Sequence, residues 1–164
     1  CRTIVGQQIS TKAAGAIWYK FEKKCKKNIN PKKILTLKTL DLKNVGLSRQ
    51  KVKYIRGLAK AFKNKSFDVK KIKHMNDLEA INYITLLHGF GTWSAHMFLM
   101  FNLNRPDIFP VNDVGLLRAI SKNYNISYPP SKKFLDKISK KHKGYRSVST
   151  WYLWRSIDPL DVEY

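Results

Sequence analysis

The chain has 164 residues, 32 of them Lys or Arg and 11 Asp or Glu, for a formal net charge of +21. That length predicts one domain or two small subdomains, and 43% apolar with 12% aromatic residues excludes a disordered tail. With Cys1 and Cys25 as the only cysteines, a disulfide framework, a four-cysteine zinc site and a four-cysteine iron–sulfur cluster are also excluded.

So few thiols suit a reducing compartment. The charge asks for a polyanion as partner, nucleic acid above all. Lys supplies 25 of the basic residues. Lys is a solvated point charge, so most of these coat a surface without reading anything. A Lys-rich codon habit would give the same total.

The charge is uneven. Residues 1–78 carry 21 basic and 4 acidic residues, 79–121 carry 2 and 3, and 122–164 carry 9 and 4. The neutral middle reads as core plus a site. From Ala80 to Asn104 no residue is charged. Asn82, His88, Gly89, Gly91, His96 and Asn102 interrupt that run, which argues against a membrane span. No basic-then-apolar leader is seen, and the chain opens without Met inside Cys1-Arg2-Thr3-Ile4-Val5, so a preceding segment is expected.

No stretch alternates over six residues, and helix signals recur in chain order. Ser10 caps a helix through Ala13, Ala14, Ile17, Trp18 and Phe21. Asn30-Pro31 opens the next, which Asn44-Val45-Gly46 ends. Ser48 caps a helix with Val52, Ile55, Leu58, Ala59 and Phe62 on one face. Asn76 with Glu79 forms a capping box for a helix through Leu87. Thr92 caps a helix to Leu103. Pro106 and Pro110 bracket a loop, and Asn112 or Asp113 caps a helix through Leu117 and Ile120. Pro129-Pro130 breaks the chain, Ser131 starts another helix, and Tyr145 to Ile157 makes the last. The expectation is an all-α protein of about nine short helices.

The turn Leu86-Leu87-His88-Gly89-Phe90-Gly91-Thr92-Trp93-Ser94 joins two of these helices. Gly89 suits the left-handed end of the first. Gly91 lets a ligand approach the backbone, and the N–H groups of Gly91, Thr92 and Trp93 sit at a helix N-terminus that favours an anion. A plain corner between helices would use the same glycines. Twenty residues after Trp93, Phe109-Pro110-Val111-Asn112-Asp113-Val114-Gly115-Leu116 sets one carboxylate at a loop-to-helix boundary. Asp113 reads as a helix cap and as an ionised group beside a cleft, and both can hold together.

Five stretches in order resemble the helix-hairpin-helix DNA glycosylases of the endonuclease III superfamily, and within it the bacterial 3-methyladenine DNA glycosylase II family. They are Ile4 to Ser10, Gly46-Leu47-Ser48-Arg49-Gln50-Lys51, the hairpin with Trp93, Phe109 to Leu116, and Tyr145-Arg146-Ser147 through Trp151-Tyr152-Leu153-Trp154-Arg155. The resemblance implies two helical subdomains flanking a DNA-lesion cleft. Residues 1–108 would form a six-helix barrel with the helix-hairpin-helix at about 85–103. Residues 109–164 would form a C-terminal subdomain that relatives complete with N-terminal helices.

By the same resemblance, Asp113 is catalytic, facing the positive charge that develops on deoxyribose and orienting water. A purine alkylated at N3 or N7 is already cationic and leaves without a general acid. Trp93 stands where bifunctional relatives carry a Schiff-base lysine, and no Lys lies between Lys73 and Lys122, which implies no lyase activity. Trp93 and Trp154 line the base pocket, or else the core; Trp18 and Trp151 read as core. Gln8 falls at the wedge that fills the helix after base flipping, or is a polar helix end. Gly89, Gly91, Thr92, Trp93 and Ser94 hold phosphate. No cofactor is required, though the carbonyls of Thr85, Leu87 and Phe90 match a monovalent-cation site of relatives. His74, His88, His96 and His142 have no metal-ligand spacing, and His88 replaces a proline common in the family.

The implied function is a monofunctional glycosylase that excises alkylated purines of 3-methyladenine type from damaged double-stranded DNA. It would act as a monomer off the membrane, in the cytoplasm (at the nucleoid) of a bacterium or the nucleus of a eukaryote. Competing readings are a glycosylase for another damaged base, a non-catalytic helix-hairpin-helix DNA-binding module, and a basic RNA-associated structural protein.

Overall fold

Local capping signals set most of the helix starts in this chain, and tertiary burial sets the rest. The computed structural model describes residues 1–158 and shows eleven helices and no strand among them. No helix among these residues is long and apolar enough to cross a membrane. Two compact units divide at Gly91 and Thr92, inside the hairpin. Residues 159–164 of the expected second subdomain lie outside the described residues.

In the first unit, α1 (Arg2–Gly6) precedes α2 (Thr11–Lys24), α3 (Pro31–Thr36), α4 (Thr39–Asn44), α5 (Arg49–Lys63), α6 (Val69–Ile72) and α7 (Asp77–Thr85). The expected caps are in place. The Asn30 side chain accepts from Lys33 N–H at 2.9 Å, and Ser48 accepts from Lys51 N–H at 3.2 Å. Asn76 and Glu79 exchange two bonds of 2.9 Å as a capping box. Each cap contributes about 1 kcal/mol by satisfying amides that the first turn leaves free.

Three features of this unit were not anticipated. The five residues of α1 form because Ile4 and Val5 are fully buried, not because of a local signal. The helix expected from Asn30 to Gly46 is two helices. Leu37 is extended and buried between them, and its carbonyl accepts from Arg56 Nη1 of α5 at 2.7 Å. The third is α6, capped by Asp68 on Lys70 N–H at 2.9 Å and closed by buried Ile72. The core centres on α5, where Val52, Ile55 and Ala59 recur at helical spacing and meet Ile4, Val5, Phe21, Ile34 and Leu42.

In the second unit, α8 (Thr92–Phe101) is followed by α9 (Val114–Asn123), α10 (Lys132–Lys141) and α11 (Arg146–Arg155). Ser94, Ala95, Met97, Leu99 and Met100 are buried, so α8 is covered around most of its circumference. Phe109, Leu116, Ile120 and Ile138 form a second core, with Leu153 and Trp154 of α11 packed against it. Trp18 packs on the first core as expected. Trp151 does not behave as core: it stays 44% exposed, with the Arg155 guanidinium 5.7 Å above its ring.

Candidate active site

The loop that leads to α9 is stapled to the start of α11. Arg146 grips Asp107 in bidentate fashion, Nε to Oδ1 and Nη2 to Oδ2, both at 2.6 Å. Gly144 N–H donates to Asp107 Oδ1 at 2.7 Å. The Ser147 hydroxyl donates to the Arg105 carbonyl at 2.6 Å and accepts from Ile108 N–H at 3.0 Å, while Ser147 N–H donates to the Pro106 carbonyl at 2.8 Å. Ile108, Phe109 and Pro110 then run buried into the turn before α9.

The Arg146 fork, helped by Gly144 N–H, holds the Asp107 carboxyl down at about 2, below its ordinary 3.8. Because the folded value is depressed, the pair stabilises fully above pH ~4 and loses its contribution as pH falls through ~2. Side-chain exposures of 29% and 25% limit that contribution to about 1 kcal/mol. Asp107→Asn is therefore expected to lower the urea midpoint at pH 7. The gap to the parent should close between pH 4 and pH 2, as read by denaturant titration across that range. A gap that stays constant in acid would place the stabilisation elsewhere.

Asp113 sits at the N-cap of α9, with its own N–H donating to the Pro110 carbonyl at 2.8 Å. Its carboxylate gathers three N–H donors. Oδ1 accepts from Leu116 N–H at 2.6 Å and from Trp154 Nε1 at 2.8 Å, and Oδ2 accepts from Trp93 Nε1 at 2.7 Å. A carboxylate has about four acceptor sites, so among the described residues one lone pair on Oδ2 takes no donor. Each indole donates through its N–H, so Asp113 itself covers neither ring face. Trp154 has one face laid on Phe101, with centroids 6.3 Å apart at 24°, whereas Trp93 is 39% exposed. The three residues singled out as catalytic and pocket-lining thus meet on one carboxylate.

Gly115 belongs to this arrangement, and sequence reasoning missed its role. A Cβ there would stand 3.1 Å from Asp113 Oδ1 and 3.2 Å from Trp154 Nε1. The bare backbone is what lets the second indole reach the carboxylate. No periodicity signals this, because the constraint is steric and comes from a residue 39 positions later in the chain.

The first unit presents the hairpin's opening. Gly89 is left-handed, at φ +94°, and its backbone lies against the Tyr54 ring so closely that any Cβ would overlap Cγ, Cδ1 and Cδ2. Tyr54 meets His88 edge-on at 5.1 Å, and its hydroxyl accepts from Gln50 Nε2 at 2.6 Å. The Gly89 carbonyl accepts from Gln7 Nε2 at 2.9 Å. Gly91 is exposed and ends this unit; Thr92 and Trp93 are exposed at the start of α8, with Ser94 buried behind them. Gln8 is exposed, with φ +56°. Of the carbonyls at Thr85, Leu87 and Phe90, that of Leu87 accepts Phe90 N–H at 2.9 Å. No group of three or more His, Cys, Asp or Glu residues placed to hold a metal occurs among the described residues.

These features can be set beside known proteins. Among curated proteins, the chain is 31% identical over 168 residues to a DNA-3-methyladenine glycosylase of Bacillus subtilis, covering 96% of this chain and 55% of that one. It is 30% identical over 158 residues to the alkylbase DNA glycosidase-like protein mag2 of Schizosaccharomyces pombe, covering 94% and 74%. The chain spans about half the length of the bacterial relatives it matches, 45% and 55%. The crystal structure of a DNA-3-methyladenine glycosidase from Bacillus halodurans superposes with a TM-score of 0.84 at 31% identity, over 96% of this chain and 73% of that one. Residues 1–143 match the family model of the HhH-GPD superfamily base excision DNA repair proteins. With that match over most of its length and the same helical fold, the chain belongs to the HhH-GPD superfamily of base excision DNA repair proteins.

Proposed function

We propose that this protein is a monofunctional DNA glycosylase that hydrolytically removes alkylated purines, of 3-methyladenine type, from duplex DNA. The observation that carries the reading is the Asp113 carboxylate held by the indole N–H groups of Trp93 and Trp154. Breaking the N-glycosidic bond sends its electron pair to the base. An N3- or N7-alkylated purine is cationic and departs neutral, while positive charge develops on the deoxyribose. A fixed carboxylate opposite that charge stabilises the transition state, and its open Oδ2 lone pair can orient the attacking water. Water supplies the oxygen at C1′, its proton goes to Asp113 or solvent, and an abasic site remains.

The two indole faces supply discrimination. Electron-rich rings attract a cationic base by about 0.5–2 kcal/mol each, an advantage that neutral purines lack. The N–H groups of Gly89, Gly91, Thr92, Trp93 and Ser94 are assigned to phosphate, as suits a helix N-terminus. Gln8 is assigned to the space left by the flipped base, where its amide would bond the unpaired opposite base. The carbonyls of Thr85, Leu87 and Phe90 would hold a monovalent cation, which would neutralise charge beside the bound phosphate. Trp93 cannot form a Schiff base, so strand cleavage is not part of the reaction. One lesion per encounter suits a monomer.

The reading is tested by incubating the protein with methylated duplex DNA, identifying free base by chromatography and examining the strands with and without alkali. Free 3-methyladenine, with strand breaks only after alkali, is expected. Breaks without alkali would require a lyase nucleophile. Tight DNA binding without base release would leave a binding module.

A further inference from the structure

Three parts of the first unit form a closed triangle. Helix α5 is the first corner. Its Lys51 Nζ donates to the Val5 carbonyl at 2.7 Å, tying down the end of α1. One turn later on the same helix, the Tyr54 ring supports the backbone of Gly89. The second corner is the α1–α2 loop, and the third is the hairpin. Their direct link is Gln7 Nε2 on the Gly89 carbonyl at 2.9 Å, a bond between residues 82 positions apart.

The next residue in the chain gives that bond its meaning. Gln8 is exposed and left-handed, at φ +56°. Lys26 and Lys65 take the same conformation just past α2 and α5, so at Gln8 it is the turn that ends α1, and the direction of Gln8 follows from how the residues before it are held. Gln7, as the C-cap of α1, is the residue so held. Its backbone N–H reaches back to the Ile4 carbonyl while its side chain reaches across to the hairpin. The direction in which Gln8 points is therefore set relative to Gly89.

We propose that Gln7 is a positioning residue which ties the α1–α2 loop to the hairpin, so that gripping the DNA backbone at Gly89–Thr92 places Gln8 in register for insertion. This rests on the assignments of phosphate to the hairpin and of the wedge to Gln8. Phosphate contact and base flipping become one rigid event. Without the bond the hairpin still grips, because its N–H groups are untouched, but the loop is free to sample other directions.

The test uses Gln7→Ala and the isosteric Gln7→Glu, whose carboxylate offers no donor to the carbonyl. Each is made alone and with Gln8→Ala in the full chain, with thermal melting confirming that the variants fold. Three readouts separate the possibilities. Affinity for undamaged duplex at fixed salt reports the grip. Fluorescence of 2-aminopurine beside an abasic-site analogue reports local opening without any chemistry. Single-turnover base release reports the whole reaction.

Gln7→Ala is expected to leave duplex affinity within about twofold and to lower both opening and base release by about five- to tenfold, the scale of one neutral hydrogen bond. In the Gln8→Ala background the same change should have little further effect. Duplex affinity that falls as far as base release would make Gln7 a structural prop of the hairpin. Losses that multiply in the double variant would show that the two residues act independently. Either outcome overturns the proposal. Parent protein that opens DNA but releases no base would sink the glycosylase reading while leaving this coupling standing.

Discussion

Asp113→Asn is expected to lower single-turnover base release by about a thousandfold while leaving affinity for undamaged duplex within about twofold. Asn is close to Asp as a helix N-cap, so α9 keeps its start. The amide has one acceptor oxygen where the carboxylate has two. That oxygen is expected to stay with Leu116 N–H and Trp154 Nε1, which now share Oδ1 at 2.6 and 2.8 Å. The amide NH2 then faces Trp93 Nε1, a donor against a donor. Because Trp93 is 39% exposed, water can take that N–H, and the cost in stability stays near 1 kcal/mol. The loss in rate would therefore come from removing the anion rather than from unfolding. Single-turnover chromatography of released base, run beside a thermal melt, separates the two. Base release within tenfold of the parent would remove Asp113 from the chemistry.

The second large effect is expected at Gly89. Gly89→Ala places an L side chain at φ +94° and drives its Cβ into the Tyr54 ring. The backbone term alone costs about 1–2 kcal/mol. The ring cannot swing aside cheaply, because it packs on the first core and its hydroxyl holds Gln50. The hairpin must move instead, and the Gln7 bond moves with it. Duplex affinity is expected to fall at least about tenfold at physiological salt, and the dependence of log K on log salt should become shallower by about one phosphate. Anisotropy titrations at several salt concentrations measure both. Tyr54→Ala added to Gly89→Ala should recover part of the affinity by removing the clash. A Gly89→Ala protein that binds as the parent does would mean that this turn is not the grip on DNA.

The features legible in the sequence were those written in short-range chemistry. Asn76 with Glu79, Ser48, Ser131 and Asp113 each cap an amide two or three residues away, and all four do so in the fold. The left-handed turn at Gly89 was legible because few residues other than glycine adopt that φ readily. What the sequence hid is held by distant partners. The break at Leu37 depends on Arg56, 19 residues on, and the link at Gln7 depends on Gly89. Gly115 carries no local signal, because what demands a glycine there is Trp154 lying against it. Family likeness placed Trp93 and Trp154 in one pocket, but neither it nor spacings of 20 and 41 residues pointed to a shared carboxylate. Trp151 was misjudged for a related reason. An indole's size suggests burial, but α11 turns that ring to the solvent side, under Arg155.

The stapling of the Arg105–Ile108 loop by α11 also bears on how the protein is made. Synthesis delivers Asp113 before either Arg146 or Trp154, the latter 41 residues behind it. At about 5–20 residues per second, the nascent carboxylate waits several seconds for its second indole and for the guanidinium that fixes its loop. Because both arrive on the same helix, they arrive together. A message broken anywhere between the codons for α9 and α11 therefore leaves the carboxylate with Leu116 N–H and Trp93 alone, lacking the loop's anchor and the second indole at once.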